Sequence, residues 1–201
     1  MQDAFLRRQK DRLMTPLVGQ SFASIHPNVI SLIALVIGLG SVGAILAQLY
    51  WVGLILWALN RIVDGLDGVV ARVHHKQSDF GGYLDIFLDY IIYLAVPLAL
   101  IAAQPTPATM WAGLFLISSY VLNAISWTTL AALLEKRQRH TVNRLTSMEM
   151  PTGLIEGAET IFFYTLFYLL PAYSALLFAS MALLVLFTAC QRVWWAYHHL
   201  Q

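Results

Sequence analysis

Four aspartates, Asp64, Asp67, Asp85 and Asp89, stand in stretches that are otherwise apolar. An ionised carboxylate at the bilayer centre costs about 2.5–3.5 kcal/mol on insertion scales. A chain keeps several there only when partners, water or metal compensate. Asp64, Asp67, Gly68 and Ala71 fall at i, i+3, i+4 and i+7, one face of a helix. Two carboxylates lead that face and two positions nearly bare of side chain follow, so charge adjoins space where a bulky group can lie against the backbone. Gly81, Asp85 and Asp89 at i, i+4 and i+8 form a second stripe. If the two helices face each other, four carboxylates meet near one end. They cannot all stay ionised unless cations sit among them. An all-oxygen donor set without Cys or clustered His suits hard ions, Mg²⁺ first. Mg²⁺ in such sites commonly also holds substrate phosphates, and two ions about 4 Å apart clamp a phosphoryl group and its leaving oxygen. The residues therefore point to phosphate transfer at a membrane surface. A buried polar network, or a salt bridge with Arg61 or Arg72, is the structural alternative.

Composition says what must carry these stripes. Of 201 residues, 59% are hydrophobic and 11% charged, against roughly half and a quarter in soluble domains. That excludes a disordered chain and an ordinary soluble globule. A net charge of +1 gives no basis for nucleic-acid binding. Cys190 is the lone cysteine, so neither an internal disulfide nor a Cys-based zinc site is expected. Six apolar segments of spanning length are predicted at 28–49, 51–73, 82–103, 108–134, 152–170 and 173–194. The fold class is thus all-α, a polytopic membrane protein with six transmembrane helices. Residues 1–26 carry Arg7, Arg8, Lys10 and Arg12 beside Phe5, Leu6, Leu13 and Leu17. They read as an amphipathic helix on the membrane surface and not as a cleaved leader. The expected organisation is a juxtamembrane segment, 1–26, and a six-helix catalytic domain, 27–201. Eleven of the 12 basic residues fall in 1–26, 72–76, 136–144 and Arg192; Arg61 is the exception. Basic connectors mark the cytoplasmic side, so both termini and the acidic end are expected there. Trp51 and Trp111 fall at the far interface and Trp194 and Trp195 at the near one.

The run from Asp64 to Asp89 resembles the signature of the CDP-alcohol phosphotransferase (phosphatidyltransferase) family, D-x2-D-G-x2-A-R-x8-G-x3-D-x3-D. All eight specified positions match across 26 residues. The six-span plan and the Pro27-Asn28 entry into the first span are also similar to the family. The resemblance implies an integral membrane enzyme, in a bacterial inner membrane, that moves the phosphatidyl group of CDP-diacylglycerol to a small alcohol acceptor and releases CMP. It implies two divalent ions, Mg²⁺ or Mn²⁺, held by Asp64, Asp67 and Asp85 with Asp89 in reach, and Asp89 as general base. It further implies that Gly65, Gly68, Ala71, Arg72 and Gly81 shape the CDP pocket, and that the chain is a homodimer among membrane lipids.

The acceptor is less legible. Family members that use phosphorylated acceptors often carry Lys or Arg after the last motif aspartate, where this chain has Tyr90. The stretch 84–97 is locally more similar to bacterial phosphatidylcholine or phosphatidylserine synthases. Arg137, Arg139, His140 and Arg144 can grip an acceptor phosphate or the anionic lipid surface. Glu156 and Glu159 on the fifth segment form a second acidic face, suited to hydroxyls, an amine, the metal shell or a structural network. The adjacent pairs His74/His75 and His198/His199 diverge around a helix and read as interfacial, and Gly153/Gly157 as a packing pair. Two rival classes are an intramembrane prenyltransferase, which also uses Asp-rich helices and Mg²⁺, and a non-enzymatic ion or proton carrier. The first lacks need of the Asp64–Arg72 run, and the second would want charges laddered across the bilayer.

Overall fold

A computed structural model describes residues 25–140 and 153–200; residues 1–24 of the expected surface helix at 1–26 and most of the connector before the fifth segment lie outside them. The described chain is helical, with no strand among the described residues. The helices are α1 (Pro27–Leu46), α2 (Tyr50–Val73), α3 (Asp79–Ala103), α4 (Pro107–His140), α5 (Gly157–Leu169) and α6 (Ser174–His199), with a 3₁₀ turn at Pro171–Tyr173. Each of the six apolar segments is thus a helix. Pro27–Leu46, Asp79–Ala103, Pro107–Arg137 and Pro171–His199 are long and apolar enough to cross a membrane. By that measure four spans stand where six are expected. Two helices fall short for different reasons: α2 carries Arg61, Asp64, Asp67 and Arg72, and α5 has only 13 residues. Large apolar side chains stay exposed all along, such as Val36, Ile55 and Leu176, each 67–68% accessible, as suits helices solvated by lipid tails.

The described residues form two compact units, one reaching to Thr106 and including Thr165–Ala172, the other containing Pro107–Tyr164 and the chain from Tyr173 onward. In the first unit α1 is the spine, packed against both α2 and α3. Five of its eight buried positions, Ser31, Ala34, Gly38, Ser41 and Ala44, are small, which lets backbones approach where no water drives helices together. A Cβ on Gly38 would stand 2.7 Å from Ile92 Cδ1 of α3 and 3.0 Å from Asn60 Nδ2 of α2. Asn60 uses that nearness, donating 2.7 Å to the Ala34 carbonyl. At the far end the Ser41 hydroxyl donates to the Gly53 carbonyl at 2.9 Å and pairs with the Tyr168 hydroxyl.

Pro27 opens α1 and His26 Nδ1 accepts the Asn28 amide at 3.3 Å, a first turn where proline's missing N–H costs nothing. Both α1 and α2 end on a left-handed residue, Gln48 (φ 60°) and His75 (φ 53°). The amides of Leu49 and Lys76 then return to Ala44 and Ala71 carbonyls, the Schellman arrangement, here without its usual glycine. Ser78 caps α3 through the Gly81 amide, 3.0 Å away.

In the second unit α4 packs on α6. Buried Arg192 reaches Asn123 Oδ1 across that interface at 2.5 Å. The Tyr120 and Tyr164 hydroxyls meet at 3.1 Å. The Ile155 amide donates to Thr188 Oγ1 at 3.0 Å. Helix α5 starts five residues later than position 152. The Gly153 amide donates to Glu156 Oε1 (2.9 Å) and the Glu156 amide to Glu159 Oε2 (3.1 Å). Glu159 thereby takes the carboxylate part of a capping box. The second acidic face is therefore occupied with starting a helix, at the end where the helix dipole favours negative charge.

Candidate active site

The functional side chains come from three helices of the first unit. Asp64 and Asp67 lie in the second half of α2, and Asp85 in the second turn of α3. One carboxylate oxygen from each lies within 4.8 Å of the other two. The two stripes therefore converge as the helical spacing requires, for three of the four aspartates. Asp67 is buried, 7% exposed. Its Oδ2 takes the Ser31 hydroxyl of α1 in a short hydrogen bond, and Ser31 is itself buried and also near the Pro27 carbonyl at 3.3 Å. A donor aimed at a carboxylate is the kind of outer partner that orients metal ligands.

Asp89 sits one turn further along α3 and is held otherwise. Its Oδ1 stands 2.8 Å from Arg61 Nη1, and that same nitrogen is 3.7 Å from Asp64 Oδ2. Arg61 donates from Nε to Asn60 Oδ1 at 2.8 Å and from Nη1 to the Tyr93 hydroxyl at 3.2 Å. Its guanidinium lies 4.9 Å from the Trp57 ring centroid and 5.5 Å from that of Tyr93. The expected four-carboxylate group is here three carboxylates plus one ion pair, because the arginine one turn before Asp64 captures the last aspartate.

Beside the three carboxylates opens a cavity of about 180 Å³. Its lining combines the acidic Asp67 and Asp85, the basic Arg72 and Lys76, the small residues Gly68, Ala71, Gly81 and Gly82, and the polar Asn28, Ser31, Gln77 and Ser78. The small residues have a geometric reason. A Cβ on Gly68 would lie 3.2 Å from Arg72 Nη1, and one on Gly81 3.1 Å from Ser78 Oγ and 3.3 Å from Asn28 Oδ1. Lys76 Nζ also donates to the Ile25 carbonyl at 3.2 Å, tying the α2–α3 turn to the entry of α1. Gly65 is buried in α2 and lies outside the cavity lining.

Three carboxylates and a hydroxyl form an oxygen-only donor set, which fits a hard divalent cation. Arg72 and Lys76 in the same lining fit the anionic groups such a cation would share. Ser31, Asn28 and Arg61 are the residues that sequence reasoning missed or placed only as bystanders. The available signals were slight: Asn28 and Ser31 are polar residues in the first turn of α1, and Arg61 is the basic residue without a cytoplasmic connector.

Comparison with known proteins bears on this arrangement. The protein is 34% identical over 174 residues to the inner membrane protein YnjF of Escherichia coli K12, covering 86% of this chain and 84% of that one. It is 29% identical over 128 residues to the bifunctional IPC transferase and DIPP synthase of Thermococcus kodakarensis, and 31% identical over 114 residues to that of Archaeoglobus fulgidus. The alignments cover 63% and 55% of this chain but only 29% and 23% of those two proteins. The CDP-alcohol phosphatidyltransferase family matches residues 24–196, a stretch that takes in α1, both aspartate stripes and the cavity between them, and the chain therefore belongs to the CDP-alcohol phosphatidyltransferase family.

Proposed function

We propose that this integral membrane protein transfers the phosphatidyl group of CDP-diacylglycerol to a small alcohol and releases CMP. The observation that carries the reading is the meeting of Asp64, Asp67 and Asp85 within 4.8 Å of one another, beside a cavity whose lining also includes Arg72 and Lys76. Acidic and basic groups thus share one cavity, as a cation-bound diphosphate requires. Asp64, Asp67 and Asp85 would hold the divalent ions, Mg²⁺ or Mn²⁺. Bound there, such ions neutralise the diphosphate and the developing charge on the leaving oxygen.

The remaining work falls to the chain. Arg72, laid over the Gly68 backbone, offers a forked donor to the diphosphate. Gly68, Ala71 and Gly81 leave the nucleotide room, and Gly65 supports them from within α2. Asp89 Oδ2 accepts the proton of the acceptor hydroxyl. The acceptor oxygen forms a bond to the phosphatidyl phosphorus as the bond from that phosphorus to the CMP oxygen breaks. Phosphoryl transfer asks mainly for alignment and charge neutralisation, and a base in reach adds roughly 10²–10⁴-fold. The distribution of basic connectors supports a cytoplasmic acidic end and cytoplasmic termini, with a lipid donor entering between helices and a soluble acceptor arriving from water. On this topology α2 and α5 also cross, giving six spans, and the chain works as a homodimer, as its family resemblance implies.

Tyr90 in place of a basic residue favours an acceptor without a phosphate. The test is a mass spectrum of lipids made by the purified protein from CDP-diacylglycerol and a mixed acceptor pool with Mg²⁺ or Mn²⁺. A phosphatidyl-alcohol with equimolar CMP is expected. Absence of CMP release from CDP-linked donors overturns the reading, and glycerol 3-phosphate as best acceptor overturns the acceptor class.

A further inference from the structure

Arg61 is a charge inside an apolar helix, 11% exposed in its side chain. Removing a guanidinium from water is costly unless its donors are met, and here they are met from several directions. Trp57, itself fully buried, lies beneath it at 4.9 Å. Asn60 Oδ1 holds Nε, and the other end of Asn60 is fastened to the Ala34 carbonyl of α1. The Trp57 ring is in turn stacked on Tyr168 (6.3 Å), whose hydroxyl is bound to Ser41. The guanidinium is therefore braced by α1, α2 and the segment carrying Tyr168 before it meets any carboxylate.

Its Nη1 then meets two carboxylates, Asp64 Oδ2 at 3.7 Å and Asp89 Oδ1 at 2.8 Å. Asp89 Oδ1 is shut off from water and has no hydrogen bond besides this ion pair. The side chain as a whole is 24% exposed, so its exposure lies away from Oδ1. Oδ2 is 3.5 Å from the Tyr93 hydroxyl, a contact at the edge of hydrogen bonding. The two oxygens of one carboxylate thus have different surroundings: Oδ1 is held in the buried ion pair, and Oδ2 has the long Tyr93 contact.

We propose that Arg61 is the positioning residue of the transfer, fixing Asp89 through Oδ1 so that Oδ2 points to the acceptor hydroxyl. The inference rests on the reading of Asp89 as base.

The experiment is a double-mutant cycle in kcat, with donor KM and Mn²⁺ affinity measured alongside, on purified full-length protein. Arg61→Met is expected to lower kcat about 100-fold, within the range for loss of a base, with donor KM and Mn²⁺ affinity held within about threefold. Arg61→Lys keeps the charge but not the planar fork and is expected to recover about tenfold of that loss. On an Asp89→Asn background Arg61→Met is expected to change kcat less than about twofold, because its effect passes through the group already removed. Arg61→Lys supplies the same cycle if the methionine variant does not fold. An equal loss in both backgrounds, or wild-type kcat in the Arg61 variants, overturns the inference while the transferase reading stands. A wild-type protein that releases no CMP overturns that reading, and this one with it.

Discussion

Ser31→Ala removes one hydroxyl from α1 and tests whether that helix belongs to the site. The Ser31 hydroxyl bonds Asp67 Oδ2, and both residues are more than nine-tenths buried. A hydrogen bond to a charged group contributes about 1.5–3 kcal/mol, so the cation-free protein is expected to lose stability in that range. With a cation bound, the same donor orients Asp67. Loss of such an outer partner typically weakens a metal site 10–100-fold. The assay is Mn²⁺ titration of the purified variant in detergent with CDP present, with thermal unfolding in parallel. Mn²⁺ affinity within twofold of wild type would refute the claim that α1 orients the donor set, whatever the change in stability.

Three further outcomes are expected. Asp89→Asn keeps an oxygen for Arg61 yet removes the proton acceptor, so CMP release should fall roughly 10²–10⁴-fold while CDP and Mn²⁺ affinity persist; near wild-type turnover in a purified-enzyme assay would contradict it. Gly38→Val should drive α1 off Ile92 and Asn60 and lower stability by about 1–3 kcal/mol, read by thermal unfolding. Glu159→Ala should cost about 0.5–2 kcal/mol through the lost cap and leave Mn²⁺ affinity unchanged, since its carboxylate is spent on the Glu156 amide; weaker Mn²⁺ binding would return it to the metal shell.

The aspartate stripes were legible in the sequence because helical periodicity alone puts Asp64 with Asp67 and Asp85 with Asp89, and because carboxylates in apolar helices demand a counter-charge. Which counter-charge each aspartate meets was not legible. Asp85 and Asp89 share a stripe, yet one turn of rise brings Asp89 to Arg61 and leaves Asp85 with Asp64 and Asp67. That outcome depends on how α2 and α3 each lean on α1, and hence on the small residues near Gly38 and on Ser31, whose facing no local pattern fixes. Helix existence was readable from apolar length, while ends were not. Helix α4 runs on to His140 through polar residues, and the start of α5 moves to Gly157 because Glu156 and Glu159 bond backbone amides ahead of and at its first turn. The turns at Gln48 and His75 lacked the glycine that usually announces a left-handed helix end. Spanning by α2 escaped a plain hydropathy argument for the reason that makes it interesting: its charges are the site.

The central claim is that Asp64, Asp67 and Asp85 share a divalent cation with a CDP-linked diphosphate. Electron paramagnetic resonance of Mn²⁺ titrated into the purified protein with CDP tests it most directly. Tight binding by the wild type, weakened at least about tenfold in Asp64→Asn and Asp85→Asn but kept in Asp89→Asn, is the predicted result. Binding that is absent in the wild type, or unchanged when those two aspartates are neutralised, would contradict the account.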